Sequence, residues 1–275
     1  MIPNKRLGQH FLTDRHILQR IVDALDAAPD DVVVEIGAGK GSLTEQLLAR
    51  GLRVIAIEKD RRLAHDLRLR IADWGLGGAE IVHGDALQLY WQALVAPRHA
   101  NPQSAIANPQ FAVVGNIPYN ITSPLLDKAL TPPLPARIVF LVQAEVADRI
   151  AAPPGSKTYG ALSVGVQAVA RVERLFTVRA GAFTPPPKVT SAVVRLTPLA
   201  QPLVAPEEIA PFRAFVTACF TRRRKQLRNV VMAATGRSAT VVTAGLAALG
   251  LDPAARPETL APEIFVRLLR WSVRL

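Results

Sequence analysis

The stretch Val32-Val33-Val34-Glu35-Ile36-Gly37-Ala38-Gly39-Lys40-Gly41-Ser42 decides the fold. Its β-branched start reads as a buried strand and its three alternate glycines as a turn. From Ser42 a helical pattern runs through Leu43, Leu47 and Leu48 and stops at Gly51. Strand, glycine turn and helix in that order open an α/β nucleotide-binding unit. Only glycine lets the backbone turn so tightly and approach a ligand closely, and Ser42 is placed to cap the helix whose N-terminus faces that ligand.

Working outward, residues 16–28 have apolar positions at Ile17, Ile21, Val22 and Leu25, which is helical spacing. Arg53-Val54-Ile55-Ala56-Ile57 reads as a second strand. It ends in Glu58, about 20 residues past the first glycine, where a carboxylate can accept both ribose hydroxyl protons. A third strand over Ile81-Val82-His83-Gly84-Asp85-Ala86 brings in Asp85, which either bonds an adenine amino group or caps a helix beginning near Ala86. Phe111-Ala112-Val113-Val114 is a fourth, leading into Gly115-Asn116-Ile117-Pro118-Tyr119. Gly, Glu, Asp and Asn thus stand in turn at four strand ends, and the carboxyl ends of parallel strands are where open α/β sheets bind ligands. The third glycine comes one residue earlier than in the G-x-G-x-x-G dinucleotide pattern. That spacing favours a mononucleoside-sized cofactor such as S-adenosylmethionine over NAD, with hydride transfer the weaker alternative.

The Asn116 to Tyr119 stretch has a chemistry of its own. An amide oxygen and a nearby backbone carbonyl can accept both N–H bonds of an adenine amine, while the tyrosine covers one face of the ring. The same residues also make an ordinary turn, in which Asn and Pro set the dihedrals.

Composition bounds the remainder. With 275 residues, 49% of them hydrophobic, the chain can bury one full core and a second smaller one. The single cysteine, Cys219, excludes an internal disulfide and a cysteine-based zinc site, and five scattered histidines make no ligand pair, so no metal is expected. Apolar runs fall short of a membrane span and Met1-Ile2-Pro3-Asn4-Lys5 does not resemble a signal peptide, so a soluble cytoplasmic protein is expected. Charge is unevenly divided. Residues 1–150 hold 16 Lys+Arg and 16 Asp+Glu, residues 151–275 hold 17 and 6, so the whole excess of +11 lies in the second half. That points to a polyanionic partner.

In that half, Ala151 to Lys157 reads as a loop, Ser191 to Leu196 alternates as a strand expected to close the sheet, and Pro198 to Pro206 reads as a linker. The expected organisation is a catalytic domain over 1–198 and an all-helical domain over 199–275. Phe212, Phe215, Val216, Cys219, Phe220, Leu227, Val230 and Val231 follow helical spacing. They are interrupted by Arg222-Arg223-Arg224-Lys225. On a continuous helix Arg223 would project from the apolar face, so either it is paired when buried or the helix breaks near Thr221. Such a run is either a solvated face or a grip on RNA phosphate.

Taken together, several motifs resemble those of a known family. They are Lys5-x-x-Gly8-Gln9-His10-Phe11-Leu12, Glu35-Ile36-Gly37-Ala38-Gly39-x-Gly41, Glu58, Gly84-Asp85-Ala86, Gly115 to Tyr119, Phe183-Thr184-Pro185-Pro186-Pro187-Lys188-Val189 and Arg222 to Lys225. Their order and spacing resemble the ribosomal RNA adenine dimethyltransferases over nearly the whole chain, and the branch that dimethylates two adjacent adenines near the 3′ end of 16S rRNA above all. The resemblance implies a Rossmann-like, S-adenosylmethionine-dependent enzyme that acts as a monomer on 16S rRNA in the small ribosomal subunit and serves subunit maturation. It implies cofactor contacts from His10, Leu12, Gly37, Glu58, Asp85 and Asn116, and a base pocket from Asn116, Pro118, Tyr119 and Phe183. His10 stands where the family usually has Asn; its ring can still donate one bond.

A sulfonium methyl is activated by the cofactor itself, so the protein has to position and polarise, and no acid–base pair is assigned. Tyr119 and Phe183 are expected to sandwich the adenine, with the proline run holding an exposed Phe183 ring and Lys188 available for phosphate. Read alone, Phe183 is a core aromatic. The alternatives are a large-subunit rRNA adenine methyltransferase and a mainly non-catalytic ribosome assembly factor.

Overall fold

Strands buried on both faces read as continuous Val/Ile runs, and the centre of this molecule is built from them. The computed structural model describes residues 10–95, 111–222 and 225–273. In chain order the described elements begin with β1 (Phe11–Leu12), α1 (Arg15–Leu25), β2 (Val32–Ile36), α2 (Ser42–Ala49), β3 (Arg53–Glu58), α3 (Arg61–Trp74), β4 (Ala79–His83) and α4 (Trp91–Val95). They continue with β5 (Phe111–Asn116), α5 (Thr122–Ala129), β6 (Arg137–Gln143), α6 (Ala144–Ile150), α7 (Ala161–Gln167), β7 (Ala170–Val178), β8 (Phe183–Thr184) and β9 (Ser191–Pro198). Four helices follow: α8 (Ile209–Phe220), α9 (Leu227–Thr235), α10 (Ala239–Ala248) and α11 (Pro262–Val273).

Seven strands form one sheet in the order β4-β3-β2-β5-β6-β9-β7, while β1 and β8 pair as a separate antiparallel ribbon. β2 pairs in parallel with both β3 and β5, so successive strands run outward in opposite directions from it. Such a reversal opens a crevice at the carboxyl ends, where doubly wound folds bind ligands. The strand β9 does not close the sheet as expected. It pairs antiparallel with β6 and has β7 beyond it at the edge.

Local chemistry sets the helix starts. Asp14 and Asp60 cap α1 and α3, each accepting two backbone N–H bonds from the first turn. Ser42 does not cap α2. It is the first helical residue, and the cap position belongs to Gly41 at φ +82°, which has no side chain to offer. Helix α1 ends at Leu25, the last of its apolar positions and short of the expected end at 28, because Asp26 turns left-handed at φ 51°.

Two compact units result, one of residues through Ala147 with Glu173–Pro198, the other of Asp148–Val172 with the chain from Leu199 onward. This corrects the single boundary at 198. Gln167 donates to the carbonyls of Ile150 and Ala152, Leu203 N–H donates to Ala168, and Tyr159 donates its hydroxyl to Leu260, so Asp148–Val172 belongs with the helices. From Leu199 on, the described elements are all helical. The anticipated apolar positions from Phe212 to Val231 are buried apart from the partly buried Phe220. Helix α8 ends at Phe220 and the chain turns, with Lys225 N–H on the Arg222 carbonyl at 2.8 Å, so the helix breaks near Thr221. Arg222 and Lys225 are exposed; Arg223 and Arg224 lie outside the described residues. Among the described residues no single helix is long and apolar enough to cross a membrane.

Two features tie the sheet to what surrounds the crevice. A Cβ on Gly115 would lie 2.6 Å from the Ile36 carbonyl and 2.9 Å from the Ile117 side chain, so β5 can lie this close to β2 only without one. Gly115→Ala is expected to lower stability by about 1–3 kcal/mol, measured as a shift in the urea midpoint. On β2, Glu35 is 2% exposed and accepts from Thr44 Oγ1 on α2 at 2.6 Å. Burial pushes its carboxyl up to about 7; the Thr44 bond opposes that shift and the nearby Glu58 adds to it. A raised native pKa means that the folded state holds the proton longer than the unfolded one, so the contribution of Glu35 to stability is fully present below the ordinary carboxylate range and is lost as pH rises toward 7. Glu35→Gln should flatten that decline, read as urea midpoints between pH 4 and 8.

Candidate active site

A cavity of about 270 Å³ opens at the carboxyl ends of β2, β3 and β5, lined among others by Gly37, Glu58, Asp85, Asn116 and Tyr119. The glycine turn forms its floor. Gly37, Gly39 and Gly41 all have positive φ, at 72°, 58° and 82°, and Gly37 N–H is fixed on the Ile57 carbonyl at 2.8 Å. A Cβ on Gly39 would meet the Phe11 ring at 3.1 Å, so the β1 segment lies directly against the turn.

Glu58 ends β3 and is 5% exposed. One oxygen accepts Gly39 N–H at 2.8 Å and the other Asp60 N–H at 2.7 Å. Burial raises its pKa while these backbone bonds lower it. A carboxylate oxygen accepts more than one bond, so Glu58 can brace the turn and still receive hydroxyl donors from the cavity.

Asp85 lies two residues past the end of β4. Its Oδ2 is 2.7 Å from Lys59 Nζ and its Oδ1 accepts Leu87 N–H at 2.9 Å, and the Lys59 and Leu87 bonds hold its carboxyl below the usual range. The expectation that Asp85 caps a helix is not met, since among the described residues no helix starts near Ala86; its Oδ1 instead takes the Leu87 N–H of a turn. Two residues that the sequence did not single out hold this turn: Trp91 Nε1 donates to Ala86 and Lys128 Nζ to Leu87, at 2.8 and 2.9 Å.

At the other end of the cavity, Asn116 closes β5 and donates Nδ2 to the His10 carbonyl at 2.7 Å. Its remaining polar atom is the accepting oxygen. Tyr119 begins a short 3-10 turn, Tyr119–Ile121, and its hydroxyl is 3.0 Å from Ser191 Oγ at the start of β9. Ser191 is 1% exposed; a hydroxyl placed just before the apolar run Ala192 to Val194 was its only signal. The His10 ring stacks beside Tyr119 with centroids 6.2 Å apart and 23° between planes, and its Nδ1 is 2.8 Å from the Pro185 carbonyl. Leu12 is buried, lines the cavity and pairs with Phe183 across the β1/β8 ribbon.

Phe183 departs from expectation. Its ring is 3% exposed and packs in the core with Leu12, so it neither faces the cavity nor stands exposed on the proline loop. Pairing of β8 with β1 holds it there. Lys188, further along that loop, is exposed. Lys5, Gly8 and Gln9 of the N-terminal motif lie outside the described residues.

Comparison with known proteins agrees with this geometry. The family model described as ribosomal RNA adenine dimethylase matches residues 3–264. A ribosomal RNA small subunit methyltransferase A of Geobacter metallireducens is 42% identical over 273 residues, covering 98% of this chain and 96% of its own. One from Synechococcus elongatus is 42% identical over 98% and 94%. Among solved structures, a dimethyladenosine transferase from Plasmodium falciparum superposes with a TM-score of 0.75 at 26% identity, over 94% of this chain and 96% of the other. The 23S rRNA methyltransferase ErmE does so with 0.70 at 29% identity, over 95% and 98%. The chain belongs to the ribosomal RNA adenine dimethylase family and is a Rossmann-like, S-adenosylmethionine-dependent rRNA adenine dimethyltransferase.

Proposed function

We propose that this enzyme dimethylates the N6 amines of two adjacent adenines near the 3′ end of 16S rRNA in the small subunit, acting as a cytoplasmic monomer during subunit maturation. The observation that carries this is the placement of Asn116, with its amide nitrogen already bonded, beside Tyr119 in a cavity that also holds Glu58 and Asp85. The curated relatives named above are small-subunit enzymes.

The residues present fit S-adenosylmethionine. Glu58 would take the ribose hydroxyls, Asp85 the adenine amino group, and the turn at Gly37 would pass the methionine portion, with His10 and Leu12 flanking it. When bound, that cofactor supplies a methyl group already activated on sulfur. What this chain contributes is placement. Asn116 Oδ1 accepts one proton of the target amine. The Pro118 carbonyl already receives Ile121 N–H at 3.1 Å and the Thr122 hydroxyl at 3.4 Å, so the second acceptor is the Ile117 carbonyl. With both N–H bonds held, the nitrogen lone pair is directed away from the ring, and the proton leaves to solvent after transfer. Tyr119 offers an aromatic face, and Pro118 fixes the turn that presents it. Phe183 would have to turn out of the core to offer a second.

The catalytic chemistry belongs to the sheet unit, whose Lys188 on the proline loop also takes phosphate, and the main grip on RNA belongs to the basic helical unit, through Arg222, Arg223, Arg224 and Lys225. Unmethylated small subunits incubated with labelled cofactor should yield dimethyladenosine at two adjacent 16S positions. Label on large-subunit RNA alone, or none, rejects the reading. Asn116→Ala should lower methyl transfer at least about 100-fold while RNA affinity stays near wild type. Joint replacement Arg222→Ala and Lys225→Ala should weaken subunit binding and reduce the salt slope by roughly 0.7–0.9 per lost phosphate contact. An unchanged slope and affinity would remove these cations from the interface.

A further inference from the structure

His10 touches two segments of the site that are distant from it in sequence: the Pro185 carbonyl on one, and the Asn116 amide with the Tyr119 ring on the other. Its place in the ribbon explains why its side chain is needed. Phe11 pairs with Thr184, Leu12 with Phe183, and Thr13 N–H donates to the Ala182 carbonyl at 2.9 Å. The register sets His10 opposite Pro185 at a position where an antiparallel ladder exchanges no backbone bonds, the bonded sites being Thr13 with Ala182 and Phe11 with Thr184. The imidazole Nδ1 makes the bond that the backbone does not, 2.8 Å from the Pro185 carbonyl. A carbonyl only accepts, so Nδ1 carries the proton.

The main chain of His10 then resolves an ambiguity in Asn116. A primary amide has a donating and an accepting end, and a target amine needs the accepting one. With Nδ2 on the His10 carbonyl at 2.7 Å, a flip of the amide would break that bond and turn two N–H groups toward the amine.

We infer that His10 is a positioning residue for methyl transfer: its side chain, tied to Pro185, holds its own carbonyl where it keeps the Asn116 oxygen toward the amine. The inference rests on the reading of Asn116 as the amine acceptor. It also bears unequally on the two steps. An unmethylated amine is held through two N–H bonds and a monomethylated one through a single bond, so the second transfer depends more on a correctly oriented acceptor.

The test uses the full chain with unmethylated small subunits and compares wild type with His10→Ala, His10→Asn and His10→Phe. The readouts are kcat, KM for the cofactor, and the ratio of monomethyl to dimethyl adenosine. His10→Ala is expected to lower kcat about tenfold, with a smaller change in KM and accumulation of monomethyl product. His10→Asn keeps an N–H that can reach the Pro185 carbonyl and should restore both kcat and product ratio. His10→Phe keeps a ring beside Tyr119 but has no donor and should behave as His10→Ala. The inference is overturned if His10→Ala changes only KM, if His10→Phe matches wild type, or if His10→Asn is as poor as His10→Ala. Wild type labelling only large-subunit RNA would instead defeat the proposed substrate, and the same variants compared on that RNA would still decide the role of His10.

Discussion

The bond from Gly39 N–H to the buried carboxylate of Glu58, 2.8 Å long, is the constraint on which the rest of the site depends. A positive-φ turn has no regular secondary structure to satisfy its amide groups, and a buried carboxylate is costly without donors. Each supplies what the other lacks. The second oxygen on Asp60 N–H extends the arrangement to the start of α3, whose cap is Asp60 itself. One side chain thereby couples the end of β3, the turn after β2 and the first turn of a helix. Residues that later meet a nucleoside are held by groups that must be there for the fold.

Much of this was legible in the sequence, for a physical reason. Strands β2, β3 and β5 are buried on both faces and read as apolar runs, interrupted in β2 by Glu35, and each is closed or followed by a residue whose type departs from the run: Gly37, Glu58 and Asn116. β6, with Ile138 to Val142 wholly buried, bears the same signature and was open to the same reading. The edge strand β7 mixes Arg171, Glu173 and Arg174 among apolar residues and announces neither period clearly. The boundary between units was missed because Asp148–Val172 joins the helices through bonds to distant carbonyls, which leave no local pattern.

The site followed the same division. Gly37, Glu58, Asp85 and Asn116 could be placed because each stands at or just past a strand end. What the sequence withheld was their partners: Lys59 on Asp85, Ser191 on Tyr119, and the His10 carbonyl on Asn116, 106 residues away. Phe183 shows the opposite error. Its proline neighbours suggested a ring held in the open, whereas two residues of pairing with β1 were enough to bury it.

The bond between Tyr119 and Ser191 constrains which aromatic can stand at the cavity. Phenylalanine would stack on a base about as well as tyrosine, yet it would leave the buried Ser191 hydroxyl at the start of β9 without that bond. Each of the two positions therefore guards the other against drift. Exchanging Tyr119 for Phe would cost about 1–3 kcal/mol through the stranded hydroxyl, and exchanging Ser191 for Ala at the same time would remove that cost, so the phenol answers to a buried partner as well as to the cavity it faces.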